Sequence, residues 1–174
     1  MKNKTMISAL QALRERILIG LVEWTKPWYA RWFKKGREAW PHTVQSLKQF
    51  PRHSLGRDLG DFLEKEGLDM MPKLEDHDVM HVLMHYKTTV VDEAKMQFFL
   101  LGNHKKSLYA LFTAFVAILL IPEHLYSFWV EFRKGRRCAR VSQWDFRYLL
   151  REPTRMLRRQ LYRQDMGEEA PFVF

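Results

Sequence analysis

The feature that most constrains what this chain can fold into is its one long apolar run, Leu108 to Ile121, 14 residues of which none is charged. As a helix it measures about 21 Å, whereas crossing a bilayer takes roughly 20 residues. The run therefore predicts a buried core helix, with the small residues Ala110, Ala114 and Ala117 letting other elements approach closely. At 174 residues the chain is long enough to surround such a helix, because a domain of this size buries roughly two-thirds of its unfolded surface without disulfides. A content of 47% hydrophobic and 28% charged residues places it among folded globular chains. Cys138 is the only cysteine, so no intrachain disulfide framework exists, which suits a reducing compartment.

The rest of the pattern is helical. Residues 6–22 place Ile7, Leu10, Leu13, Ile17, Leu18 and Leu21 close to one stripe. Trp24, Trp28 and Trp32 follow at i, i+4, i+8 among lysines and arginines, with Pro27 breaking or kinking the helix. Indoles beside cations suit either core packing or a membrane interface. A short helix starts near Ser54 and stops near Gly67, and a second covers about Asp76 to Tyr86. Thr89 caps a third, with Asp92 at N3, running to Gly102. Pro122 opens a helix with apolar positions Leu125, Phe128, Trp129 and Phe132, closed by Gly135. Ser142 with Asp145 caps a further short helix, and Pro153 opens a last one bearing Met156, Leu157 and Leu161. With no Asn-Gly or Asp-Gly hairpin signal, the fold class is all-α: a compact single-domain bundle of about seven or eight helices.

The net charge of +9 is unevenly spread. Residues 1–58 carry net +8, residues 59–130 net −4 and residues 131–163 net +8, which makes the middle an acidic island between basic flanks. Such flanks favour an anionic partner, a membrane surface among them. The arginines at 151, 155, 158, 159 and 163 share much of one helix face, ordinarily a solvated one. Base-reading motifs are absent, which ranks nucleic acid low. The short stretch Ile17 to Val22 lacks the form of a secretory signal, so the expected location is intracellular.

Inside the acidic island stands Glu75-Asp76-His77-Asp78-Val79-Met80-His81, with Glu93 after eleven more residues. On a helix His77 and His81 lie one turn apart on one face, and Asp78 on its neighbouring edge can converge with them. A hairpin across residues 82–92 can swing Glu93 opposite His81. Imidazoles with carboxylates suit Zn²⁺, Fe²⁺ or Mn²⁺. The same residues also fit ordinary roles, Asp78 as a first-turn acid and Glu93 as a dipole partner.

The pattern H-D-x-x-H, eleven residues, E resembles the signature of the coenzyme Q biosynthesis protein four family. It stands here as His77, Asp78, His81 and Glu93, with Ser54-Leu55-Gly56-Arg57 and Asp61-Phe62-Leu63 upstream and Arg133 through Leu161 downstream. The similarity covers roughly residues 50–163. The expected organisation is a basic, Trp-rich helical arm over residues 1–40, a helical metal-binding domain similar to that family over 41–166 and a tail over 167–174. The similarity implies a membrane-peripheral, dimeric protein of ubiquinone biosynthesis whose four motif residues hold one divalent metal, zinc first. The implied activity is removal of the ring carboxyl group from a polyprenylated 4-hydroxybenzoate intermediate, or the organising of other quinone-biosynthesis enzymes. The implied partners are a prenylated lipid substrate, with Phe98, Phe99 and Phe112 as candidate groove residues, and an anionic membrane surface. His85 and Asp92 depart from the family, which has Gly at both positions, and so are candidates for further ligands or for partners of the ligands. Two other readings compete: a lipid-binding scaffold without catalysis, and an HD-type metal phosphohydrolase using His53 and Asp145.

Overall fold

A computed structural model describes residues 13–14, 16–21, 24, 38–105 and 107–162. It is all-α. Among the described residues there is no strand, and the single β-bridge joins Ser54 to Pro153. Seven α-helices follow the helical residues 13–14, 16–21 and 24: α1 (Val44–Leu47), α2 (Leu55–Glu66), α3 (Glu75–Met84), α4 (Val90–Gly102), α5 (Leu108–Leu120), α6 (Leu125–Arg137) and α7 (Thr154–Tyr162), with 3-10 turns at Pro122–His124 and Val141–Gln143. They fall into two compact units that alternate along the chain. One spans Lys34–Lys87 and Arg137–Phe174, here the histidine unit; the other spans Met1–Phe33 and Thr88–Arg136, here the apolar unit.

In the histidine unit α2 is the central support. Its N-cap Ser54 accepts from the Arg57 amide at 3.3 Å, Leu55, Leu59 and Leu63 form a buried i, i+4, i+8 row, and Gly67 ends it at φ 66°, the left-handed turn that favours glycine. A Cβ on Gly56 would lie 2.8 Å from the Phe50 ring, so only glycine lets that ring sit against the helix. The chain before α2 is clamped to the chain before α7: Leu55 N donates to Glu152 O at 2.9 Å, and Thr154 N donates to His53 O at 3.0 Å. The expected helix at Ser142 is a 3-10 turn instead. Asp145 accepts from the Arg147 amide at 3.2 Å, two residues on, an Asx-type turn that draws the carboxylate away from N-capping.

In the apolar unit Thr89 caps α4 as expected, accepting from the Asp92 amide at 3.3 Å. The central expectation for α5 is overturned: it is not a buried core helix. Its buried residues are Ala110, Thr113, Ala114 and Ala117, while Leu111, Phe115 and Leu119 are 58%, 59% and 62% exposed. The small residues do permit close approach, and they take the inside for that reason; the large ones are left outside. Leu18, Ala94, Ala117, Ile121 and Phe128 make the core beside them, with Phe98 stacked on Phe128 at 4.7 Å between centroids. Gly135 does not close α6, which continues to Arg137. It serves a helix crossing: a methyl at Gly102 or Gly135 would run into the carbonyl oxygens of Phe132 and Phe99 respectively, and the buried Asn103 donates to Gly135 O at 3.0 Å.

Candidate metal centre

Helix α3 carries the histidines, and its sequence explains how they are held. The helix opens with Glu75, buried, whose Oε1 accepts from the Trp40 amide at 2.9 Å. It ends at His85, which adopts φ 57°, the left-handed conformation that glycine usually fills. The last carbonyls of a helix lack intrahelical donors. Here Arg158 of α7 supplies them, donating to Val82 O at 2.7 Å and Leu83 O at 3.2 Å. That arginine is therefore no member of a solvated face; it fastens the end of α3.

His81 is buried, at 3% exposure, and its ring is fixed on three sides. Nδ1 lies 3.1 Å from the Tyr86 carbonyl oxygen, which can only accept, so Nδ1 carries the proton and Nε2 presents its lone pair. Phe62 stacks on the imidazole at 5.5 Å with 16° between planes. The Nε2 lone pair faces His77 Nε2 at 3.3 Å, the two rings near-perpendicular at 79°. Two uses of this arrangement are chemically allowed. His77 can donate a proton to His81, or both nitrogens can turn lone pairs on one cation, the carbonyl behind Nδ1 then acting as the oriented partner that ligating histidines ordinarily have.

The remaining motif residues lie as follows. Asp78 is half-buried in the first turn of α3. Glu93 belongs to the apolar unit, half-buried in the first turn of α4, with its amide donating to Thr89 O at 2.8 Å. As donors, His77, His81 and Glu93 are a group that could hold a metal ion; Asp78 is not part of it. Neighbouring Asp92 is ion-paired to Lys95 at 3.1 Å. His85 is exposed, and its pKa is lowered, first by desolvation and next by the Arg158 guanidinium, against an opposing contribution from Asp58. His53 is exposed and Asp145 is paired with Arg147 at 3.2 Å; among the described residues neither belongs to a group of metal-capable side chains, so the phosphohydrolase reading gains no support. Of the groove candidates, Phe99 is wholly buried, Phe98 is stacked in the core, and Phe112 is 43% exposed on α5.

Sequence reasoning did not find the Tyr86 carbonyl, the Phe62 stack or the Arg158 cap. The first is a backbone group that any residue could supply. Phe62 is spaced three residues from the Leu59 row, the only signal that it faces inward.

No family model matches the sequence, and no curated protein matches it. Among solved structures, a protein of Nostoc punctiforme provisionally named a ubiquinone biosynthesis protein has a TM-score of 0.54 and 19% identity, over 85% of this chain and 80% of that one. The likeness is one of fold. No single helix among the described residues is long and apolar enough to cross a membrane.

Proposed function

We propose that this chain is a metal-dependent protein of ubiquinone-type quinone biosynthesis, with His77, His81 and Glu93 holding one divalent cation. The observation that carries the reading is the His81 imidazole, its tautomer set by the Tyr86 carbonyl and its Nε2 turned toward His77 Nε2. The motif H-D-x-x-H, eleven residues, E and the fold likeness to a protein with a ubiquinone-biosynthesis name supply the pathway. Glu93 joins the set because only five residues, 85–89, connect α3 to α4, a reach of at most about 17 Å. Two neutral imidazoles and one carboxylate leave coordination positions open, the condition for a metal that also meets substrate. Bound there, such a cation supplies Lewis-acid stabilisation to the carboxylate or ring oxygens of a prenylated hydroxybenzoate. His81, held rigidly, fixes the position; His77, half-buried, admits adjustment.

The test is functional replacement. The wild-type gene is expected to restore quinone synthesis in a strain lacking its ubiquinone-biosynthesis counterpart, and His77→Ala and Glu93→Gln at equal abundance are expected not to. Restoration by both variants would remove the metal from the function, and failure of the wild type at normal abundance would remove the pathway.

A further inference from the structure

His85 has a backbone conformation that its own side chain does not account for. It stands at φ 57°, ψ 31°, a left-handed conformation that L-residues ordinarily avoid, and its imidazole is exposed. The residue after it gives the reversal a use. In a continued right-handed helix every carbonyl points toward the C-terminal end, so a carbonyl at residue 86 would face away from His81, more than a turn behind it. The reversal at His85 brings the Tyr86 carbonyl back to 3.1 Å from His81 Nδ1. Helix α2 reverses in the same way at Gly67, φ 66°, and there the chain closes its own end: Gly67 N donates to Glu64 O at 3.2 Å and Leu68 N to Leu63 O at 2.9 Å. On α3 the counterpart of Glu64 O is Val82 O, and Arg158 takes it at 2.7 Å, with Leu83 O beside it at 3.2 Å. The same backbone shape therefore has two uses: on α2 it closes a helix, and on α3 it presents a carbonyl to an imidazole.

We infer that His85 is a positioning residue: its left-handed backbone, with the end of α3 held by Arg158, aims the Tyr86 carbonyl at His81 and so selects which imidazole nitrogen is left unprotonated. A carbonyl only accepts, so Nδ1 keeps the proton, and Nε2, 3.3 Å from His77 Nε2, keeps its lone pair. A neutral histidine without such a partner exchanges between two tautomers, one of which puts an N–H where the lone pair is needed. Phe62, stacked on the ring at 5.5 Å, steadies the imidazole plane, but a phenyl ring offers neither nitrogen an in-plane acceptor and does not choose between them. The choice therefore comes from the backbone at residue 85. Any residue that accepts a positive φ preserves it, and a β-branched residue, which resists that region, does not. The use of this selection at a cation rests on the metal reading proposed above; the selection itself does not.

The experiment is long-range proton–nitrogen correlation spectroscopy of the histidine rings in the metal-free full chain at about pH 8, where imidazoles are neutral. The His81 signals are assigned by their loss in His81→Gln. Wild type is expected to show His81 as the Nδ1–H tautomer. His85→Gly and His85→Asn, which accept a positive φ, are expected to keep that pattern. His85→Val is expected to show a mixture of tautomers and, titrated with Zn²⁺, an affinity about tenfold or more below wild type. A purely structural role for His85 would lower stability without moving the tautomer. An Nε2–H His81 in wild type, a valine variant with the wild-type pattern, or a glycine variant that loses it would overturn the inference. Should circular dichroism show the valine chain unfolded, the wild-type and glycine spectra still decide it. A tautomer mixture in a folded valine variant with unchanged Zn²⁺ affinity would support the positioning and count against the metal reading, so the two fail separately.

Discussion

The histidine unit and helix α5 of the apolar unit use the same residue types in opposite senses. In the histidine unit the large residues go in: Leu47, Leu55, Leu59, Leu63 and Leu83 are wholly buried. In the apolar unit α5, the most hydrophobic segment of the chain, turns its alanines inward and its leucines and phenylalanines outward. The first arrangement maximises apolar area removed from water. The second maximises closeness of backbones, with Gly102 and Gly135 bringing α4 and α6 into carbonyl contact. Hydrophobicity of a segment therefore does not by itself say which face is inside; the distribution of small residues does.

Five substitutions break or sharpen that contrast. Leu63→Ala is expected to cost about 3 kcal/mol in denaturant unfolding, by lost transfer energy and a residual cavity. Leu119→Ala on α5 is expected to stay within about 0.5 kcal/mol, and an equal loss at both would erase the difference between the histidine unit's leucine row and α5. Gly135→Ala forces a methyl against the Phe99 carbonyl and is expected to cost about 2 kcal/mol, where a neutral result would mean α4 and α6 do not cross there. Arg158→Met leaves Val82 O and Leu83 O without their donor and is expected to cost about 1–2 kcal/mol, with weaker metal retention because α3 loses its fastening. His85→Gly is expected to gain about 1 kcal/mol by placing glycine at a left-handed φ. His85 has a lowered folded pKa, so the unfolded chain binds its proton first as pH falls; wild-type stability drops on going below about 6.5, and the glycine variant is expected to show a shallower drop.

Much of the fold was legible in local signals. Ser54, Thr89 and Gly67 are caps whose roles follow from a hydroxyl before, or a glycine after, an apolar period, and the structure uses all three so. The helix at Ser142 was misread because the same Ser/Asp chemistry serves caps and Asx turns alike, and only tertiary context selects. Gly135 was misread for a related reason: glycine marks both helix ends and helix crossings. The sidedness of α5 was missed because an all-apolar run carries no polar residue to mark the outer face, and the alanines were the available signal. At the candidate site, His77 and His81 were legible from their i, i+4 spacing. The carbonyl that sets the His81 tautomer was not, because backbone groups leave no trace in composition. The tryptophans at 28 and 32, Arg163 and the tail over 167–174 lie outside the described residues.

Metal content tests most directly whether His77, His81 and Glu93 hold a cation, as proposed. Purified wild-type protein, loaded with Zn²⁺, Fe²⁺ or Mn²⁺ and desalted, is expected to retain about one ion per chain by elemental analysis. His77→Ala and Glu93→Gln, each confirmed folded by circular dichroism, are expected to retain far less than one. Equal metal in wild type and both variants, or none in any, would contradict the account.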